Sequence, residues 1–150
     1  MPDFVAVGGF GLKGPTTWIF EPKQSVPAAQ PIFAFHDSLL APCTPATSTI
    51  NPLDVALRTK RALAGLVLLS GTHIAADEWA PLLEGRKGLR VFQSHGQADA
   101  ILPFSISSDL KDTLKKAGFE VTWVPFHGGH GIPPEVLAAL SNFLRQSLHS

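Results

Sequence analysis

The apolar positions of this chain are unevenly ordered. Phe4-Val5-Ala6-Val7 is a short apolar run that meets Gly8-Gly9, which predicts a buried strand entering a tight turn. From Gly11 to Pro52 the pattern dissolves. Prolines at 15, 22, 27, 31, 42, 45 and 52 leave no helical period between them, and only Ile32-Phe33-Ala34-Phe35 reads as a strand. Thr44 to Asn51 is small and polar, with the character of a linker. So long a stretch without regular signal is unusual inside a compact domain.

Order resumes at Pro52. Leu53 to Arg61 reads as the end of a helix. Ala64 to Ser70 is a continuous apolar run, the pattern of a strand buried on both faces of a parallel sheet. Leu89 to Ser94 is the next strand. A helix opens at Pro103, carries Ile106, Leu110, Leu114 and Ala117 at helical spacing, and stops at Gly118. Val121 to Phe126 is another strand. The last helix starts at Pro133-Pro134, with an apolar stripe of Val136, Leu137, Leu140, Phe143, Leu144 and Leu148. Strands alternating with helices imply an α/β fold, with parallel strands, right-handed crossovers and helices covering the sheet. In such sheets functional loops collect at the carboxyl ends of the strands.

Composition narrows the classes. The chain has 150 residues, 45% of them hydrophobic and 16% charged, enough for one domain with a real core. Twelve basic residues balance twelve acidic ones, so the formal net charge is zero and nothing draws the chain toward nucleic acid or an anionic membrane. The same neutrality permits self-association, including a homodimer. The single cysteine, Cys43, rules out an intramolecular disulfide and suits a cytoplasmic setting as an inert thiol. Met1 to Phe4 lacks a basic segment followed by a long apolar one, so no secretory signal is expected there. The run from Leu63 to Leu69 is too short to span a bilayer.

Two strand-end loops carry the candidate chemistry. One is His95-Gly96-Gln97-Ala98-Asp99; the other is His127-Gly128-Gly129-His130-Gly131. If their strands are parallel neighbours, both loops lie on one sheet edge. A carboxylate on one can then hold an imidazole on the other in a single tautomer and stabilise it once protonated.

These segments resemble a known family. "SHGQADAILPFS" is similar to the HG-x-x-D-x-x-V-P segment of the phospholipase/carboxylesterase group of α/β-hydrolases, which includes acyl-protein thioesterases. "VPFHGGHGIPPEVLAALSNFL" resembles that group's C-terminal histidine and helix, and "ALAGLVLLSGTHI" the strand after its nucleophile helix. The resemblance covers about Leu53 to Ser150. It implies a three-layer α/β-hydrolase fold, present here as its C-terminal half in one partial domain, with residues 4–10 as the nucleophile strand and 11–52 as a divergent insert. It implies Asp99 as the orienting acid, His130 as the general base, and His95-Gly96 as a structural turn. His127 is expected in solvent. The activity implied is hydrolysis of a small acyl ester or thioester, without cofactor or metal.

The nucleophile is missing from this pattern. "FVAVGGF" resembles the strand that enters the family's G-F-S-Q-G elbow, but Gly9-Phe10-Gly11-Leu12-Lys13 puts Gly11 at the serine position and Lys13 at the last glycine. Ser38, Ser48 and Cys43 lie in the irregular stretch, and Ser70 matches a family serine that is not the nucleophile. Insertion, a frameshift or retained non-coding sequence over 11–52 would account for the lost elbow. The strands that supply an oxyanion amide are not recognisable either; Phe35-His36-Asp37 is a poor match to their HG turn.

Three rivals remain open. Gly9-x-Gly11-x-x-Gly14 followed by Asp37 outlines a dinucleotide fingerprint, although Pro15, Pro22 and Pro27 oppose the helix it needs. His95, Asp99, His127 and His130 could converge on zinc. The chain could also be a hydrolase remnant that binds a ligand or partner without turnover. A half-sheet would expose an edge and an apolar face, with Leu66 to Leu69 as the expected exposed surface and dimerisation or aggregation as the consequence.

Overall fold

A computed structural model describes residues 4–11, 14–20, 52–60, 62–73 and 75–148. The expected strand Ile32 to Phe35, together with His36, Asp37, Ser38, Cys43 and Ser48, lies outside these residues. The described elements run β1 (Phe4–Gly11), β2 (Gly14–Phe20), α1 (Pro52–Arg58), β3 (Leu63–Leu69), α2 (Ala76–Leu83), a 3-10 turn at Glu84–Arg86, β4 (Arg90–Gly96), α3 (Phe104–Lys116), β5 (Glu120–Phe126) and α4 (Pro134–Leu148).

The strands form one sheet in the order β2-β1-β3-β4-β5. β1, β3, β4 and β5 are parallel, and β2 runs antiparallel beside β1. Apolar side chains fill both faces. On one, Leu53 and Leu57 of α1, Trp79 and Leu83 of α2, and Leu110 and Leu114 of α3 pack with Leu66, Leu68 and Val91. On the other, Val136 and Phe143 of α4 meet Val67, Phe92 and Phe126. The result is three layers, as the alternation of strands and helices predicts.

Three expectations are corrected. Gly8 and Gly9 do not turn the chain: β1 runs through them to Gly11, with Gly8 paired to Leu68 on one side and Thr17 on the other. Nor is the segment after Gly11 irregular throughout. Gly14–Phe20 is a strand, and its Thr16-Thr17-Trp18-Ile19-Phe20 run is β-branched and aromatic. Pro15, which argues against a helix, is tolerated near the start of an edge strand. Finally, Leu66, Val67 and Leu68 are buried, not exposed, because β3 has a strand on each side and helices over both faces.

The sequence pattern also passed over α2. This helix is short, holds Pro81, and has no side-chain cap at Ala75. Tertiary contacts hold it: Trp79 is buried, and its indole N–H donates to Asp54 of α1 at 3.0 Å.

Candidate active site

β4 and β5 pair in register from Arg90 with Glu120 to Gly96 with Phe126, so both deliver their following loops to one edge of the sheet. Backbone bonds continue past the strands. Gln97 N–H donates to Phe126 C=O at 2.9 Å, and Ala98 N–H to Gly128 C=O at 2.9 Å. Gly96 makes this approach possible. A Cβ there would stand 2.2 Å from the Gly129 carbonyl oxygen and 2.5 Å from that of Gly128. The glycine of His95-Gly96 is therefore a packing requirement, and the two loops are joined at backbone level.

At the end of this joint, Asp99 and His130 meet. The Asp99 side chain is fully buried. Its Oδ1 accepts the amide N–H groups of Ile101 and Leu102, each at 2.9 Å, and its Oδ2 lies 2.8 Å from His130 Nδ1. An ionised carboxylate only accepts, so Nδ1 carries the proton and donates it. Nε2 is then the basic nitrogen of the neutral ring, and the ring is held in one orientation. Burial pushes the Asp99 carboxyl up, but the Leu102 amide, the His130 ring and the Ile101 amide together outweigh it. The net position is below the ordinary carboxylate value, so Asp99 stays ionised.

The other candidates fall in different places. His95 is not a turn residue: it is within β4 and fully buried, with Nε2 2.9 Å from Leu102 C=O and 3.5 Å from Asp99 Oδ2. His127 is exposed, as expected. Ser70 directly follows β3, has a positive φ of 55° and is buried, its N–H donating to Ser94 C=O at 3.0 Å. Gly11 is the last residue of β1 and pairs with Gly14 of β2. The register chain Gly9–Leu69–Ser94–Val124 places Gly11 at the same sheet edge as Asp99 and His130, where it has no side chain to offer. Among the described residues no group of three or more His, Cys, Asp and Glu is arranged to hold a metal ion. Among the same residues no helix is long and apolar enough to cross a membrane.

Sequence reasoning missed a polar layer beneath α3. Gln93 Nε2 donates to the backbone carbonyl and hydroxyl of Ser107 at 2.8 Å each, and both residues are fully buried. The polar residues inside the β4 run, Gln93, Ser94 and His95, are the signal that could have found it.

A parallel sheet with helices on both faces, and an acid and a histidine on adjacent strand-end loops, is the arrangement of an α/β-hydrolase. Comparison with known proteins agrees. The sequence pattern of the phospholipase/carboxylesterase family matches residues 49–148, and the chain belongs to that family. Acyl-protein thioesterase 1 of Neurospora crassa is 31% identical over 96 residues, covering 61% of this chain and 39% of its own length. The crystal structure of esterase PE8 superposes with a TM-score of 0.52 at 26% identity, covering 60% of this chain and 41% of that one. Zea mays acyl-protein thioesterase 2, with a TM-score of 0.53 and 23% identity over 57% of this chain and 41% of that one, shares the fold. The chain thus spans about two-fifths of the length of these relatives.

Proposed function

We propose that this site is the acid–base half of a carboxylic-ester or thioester hydrolase, and that the chain by itself does not complete the reaction. One observation carries the reading: the 2.8 Å bond between His130 Nδ1 and a buried Asp99 whose other oxygen is held by two amides. In acyl transfer of this kind a hydroxyl attacks the acyl carbonyl. His130 takes its proton and returns it to the leaving group, while Asp99 stabilises the imidazolium. Likeness to an acyl-protein thioesterase supports a small acyl ester or thioester as the ligand. A cytoplasmic setting rests on the lone Cys43, and a homodimer without nucleic-acid partners on the balanced charge.

Gly11 favours the second half of the proposal. The family's strand–turn–helix elbow presents a serine hydroxyl, whereas here the equivalent residue is a glycine that leads toward an antiparallel strand. The chain then retains ligand binding without nucleophilic attack. The test is hydrolysis of a short p-nitrophenyl ester by folded protein, with His130→Ala beside it. Equal, background rates are expected. A His130-dependent rate larger by orders of magnitude would overturn the inactive reading, and a fluorophosphonate probe would then locate the hydroxyl responsible.

A further inference from the structure

We propose that His95 is a positioning residue, which sets the Asp99–His130 pair by clamping Leu102. The inference rests on the reading of that pair as an acid and a base. Asp99 can present Oδ2 to His130 only while Oδ1 is turned toward the amides of Ile101 and Leu102. Those amides therefore decide the carboxylate's orientation. Leu102 is held from both sides: its N–H donates to Asp99, and its carbonyl accepts from His95 Nε2 at 2.9 Å. The carbonyl can only accept, so the proton of His95 is on Nε2. His95 Nε2 also lies 3.5 Å from Asp99 Oδ2, so the donor nitrogen stands beside the carboxylate in its working orientation.

His95 is itself fixed by the fold. It is the penultimate residue of β4, fully buried, and its ring meets Phe104 of α3 edge to face with centroids 6.0 Å apart. Support runs from the strand through His95 to Leu102, then to Asp99 and His130. A residue that only filled space would be an apolar one. His95 instead buries a ring whose Nδ1 has no hydrogen-bond partner among the described residues. Burying an unpartnered polar nitrogen costs free energy that a phenyl ring would not. The Nε2 contacts are what the imidazole returns for that cost.

The test uses histidine nitrogen and proton resonances of the full chain and needs no turnover. In the unsubstituted protein His95 is expected as the Nε2–H tautomer and His130 as the Nδ1–H tautomer with a slowly exchanging proton. His95→Phe keeps the contact with Phe104 and removes the donor. It is expected to abolish the slowly exchanging His130 Nδ1–H signal and to speed exchange of the Leu102 amide. His95→Gln carries an N–H the same number of bonds from Cβ and is expected to retain both. A His95→Phe protein with the His130 signal and Leu102 protection of the parent overturns the proposal, as does their loss in His95→Gln. If neither variant folds, the parent decides: His95 found as the Nδ1–H tautomer overturns the clamp. Absence of ester hydrolysis touches only the functional reading. An unchanged Asp99–His130 bond in His95→Phe touches only the clamp.

Discussion

The carboxyl ends of β1 and of β4–β5 lie on the same edge of one sheet, and they are built in opposite ways. At β4–β5 the chain leaves the sheet in two loops that bond to each other through Gln97, Ala98, Phe126 and Gly128, and that hold Asp99 against His130. At β1 the chain does not leave the sheet in this sense: Gly11 is still paired, opposite Gly14 of an antiparallel neighbour. A reactive side chain needs the first kind of ending, where the backbone breaks from the ladder and projects a residue over the edge. The comparison teaches that a shared sheet edge does not make a site. What the chain does after the last paired residue decides it.

The largest effect is expected where the two loops touch. Gly96→Ala would place a Cβ 2.2 Å from the Gly129 carbonyl oxygen, so one loop must move away. The expected loss is about 3 kcal/mol in urea unfolding, with the His130 Nδ1–H signal lost as well. A loss under about 1 kcal/mol would mean that the loops part easily and that the joint does not hold the pair.

Next comes the carboxylate. Asp99→Asn is expected to cost about 2 kcal/mol at neutral pH, since a charged acceptor of three hydrogen bonds is replaced by an amide that must turn a donor toward one of them. The pH dependence has a definite sign. The folded-state carboxyl sits below its ordinary 3.8, so its contribution is present above that value and is lost as pH falls through the folded value. Parent and variant should therefore differ most near neutrality and converge in acid, below about pH 4. Unfolding midpoints that stay equally far apart down to pH 3 would break the link between Asp99 ionisation and stability.

The amino ends of the same two strands offer a weaker contrast. Arg90 and Glu120 face each other there at 3.9 Å, with side chains 30% and 69% exposed. Glu120→Gln is expected to change stability by no more than about 0.5 kcal/mol, and less in high salt. A larger change would show that strand pairing, not the loops, is what charge supports in β4–β5. Smallest of all is the expected effect of Gly11→Ser on ester hydrolysis. A hydroxyl on a paired strand end should leave the rate at the His130→Ala background. A His130-dependent rise of roughly tenfold or more would show that the end of β1 can act as an elbow, and the contrast would fail.

Much of this was legible residue by residue. The continuous apolar run in β3 announces a strand buried on both faces, and Leu66, Val67 and Leu68 are so buried. The helical spacing of Leu110 and Leu114 matches the face α3 buries. Asp99 and His130 stand out because each follows a strand by a few residues in a glycine-bearing loop. Other features were hidden. β2 was hidden by Gly14 and Pro15, which interrupt a helix but not an edge strand. α2 was hidden by Pro81 and by its length, because its stability comes from the burial of Trp79 against α1. Leu137 belongs to the apolar stripe of α4 yet is 50% exposed, since periodicity defines a stripe wider than the strip of sheet beneath it.

The sequence by itself determined the alternation of strands and helices from Pro52 onward, the family, the absence of a hydroxyl at Gly11, and the two strand-end loops that carry Asp99 and His130. These are local properties, set by side-chain type and spacing. Only the tertiary structure decided that Asp99 turns Oδ2 toward His130, that Gly96 is needed for the loops to touch, and that His95 is buried against Leu102. Each of these depends on atoms from segments distant in the chain meeting within hydrogen-bond or contact range. The pairing of β4 with β5 brings them there, and no spacing along the sequence specifies it.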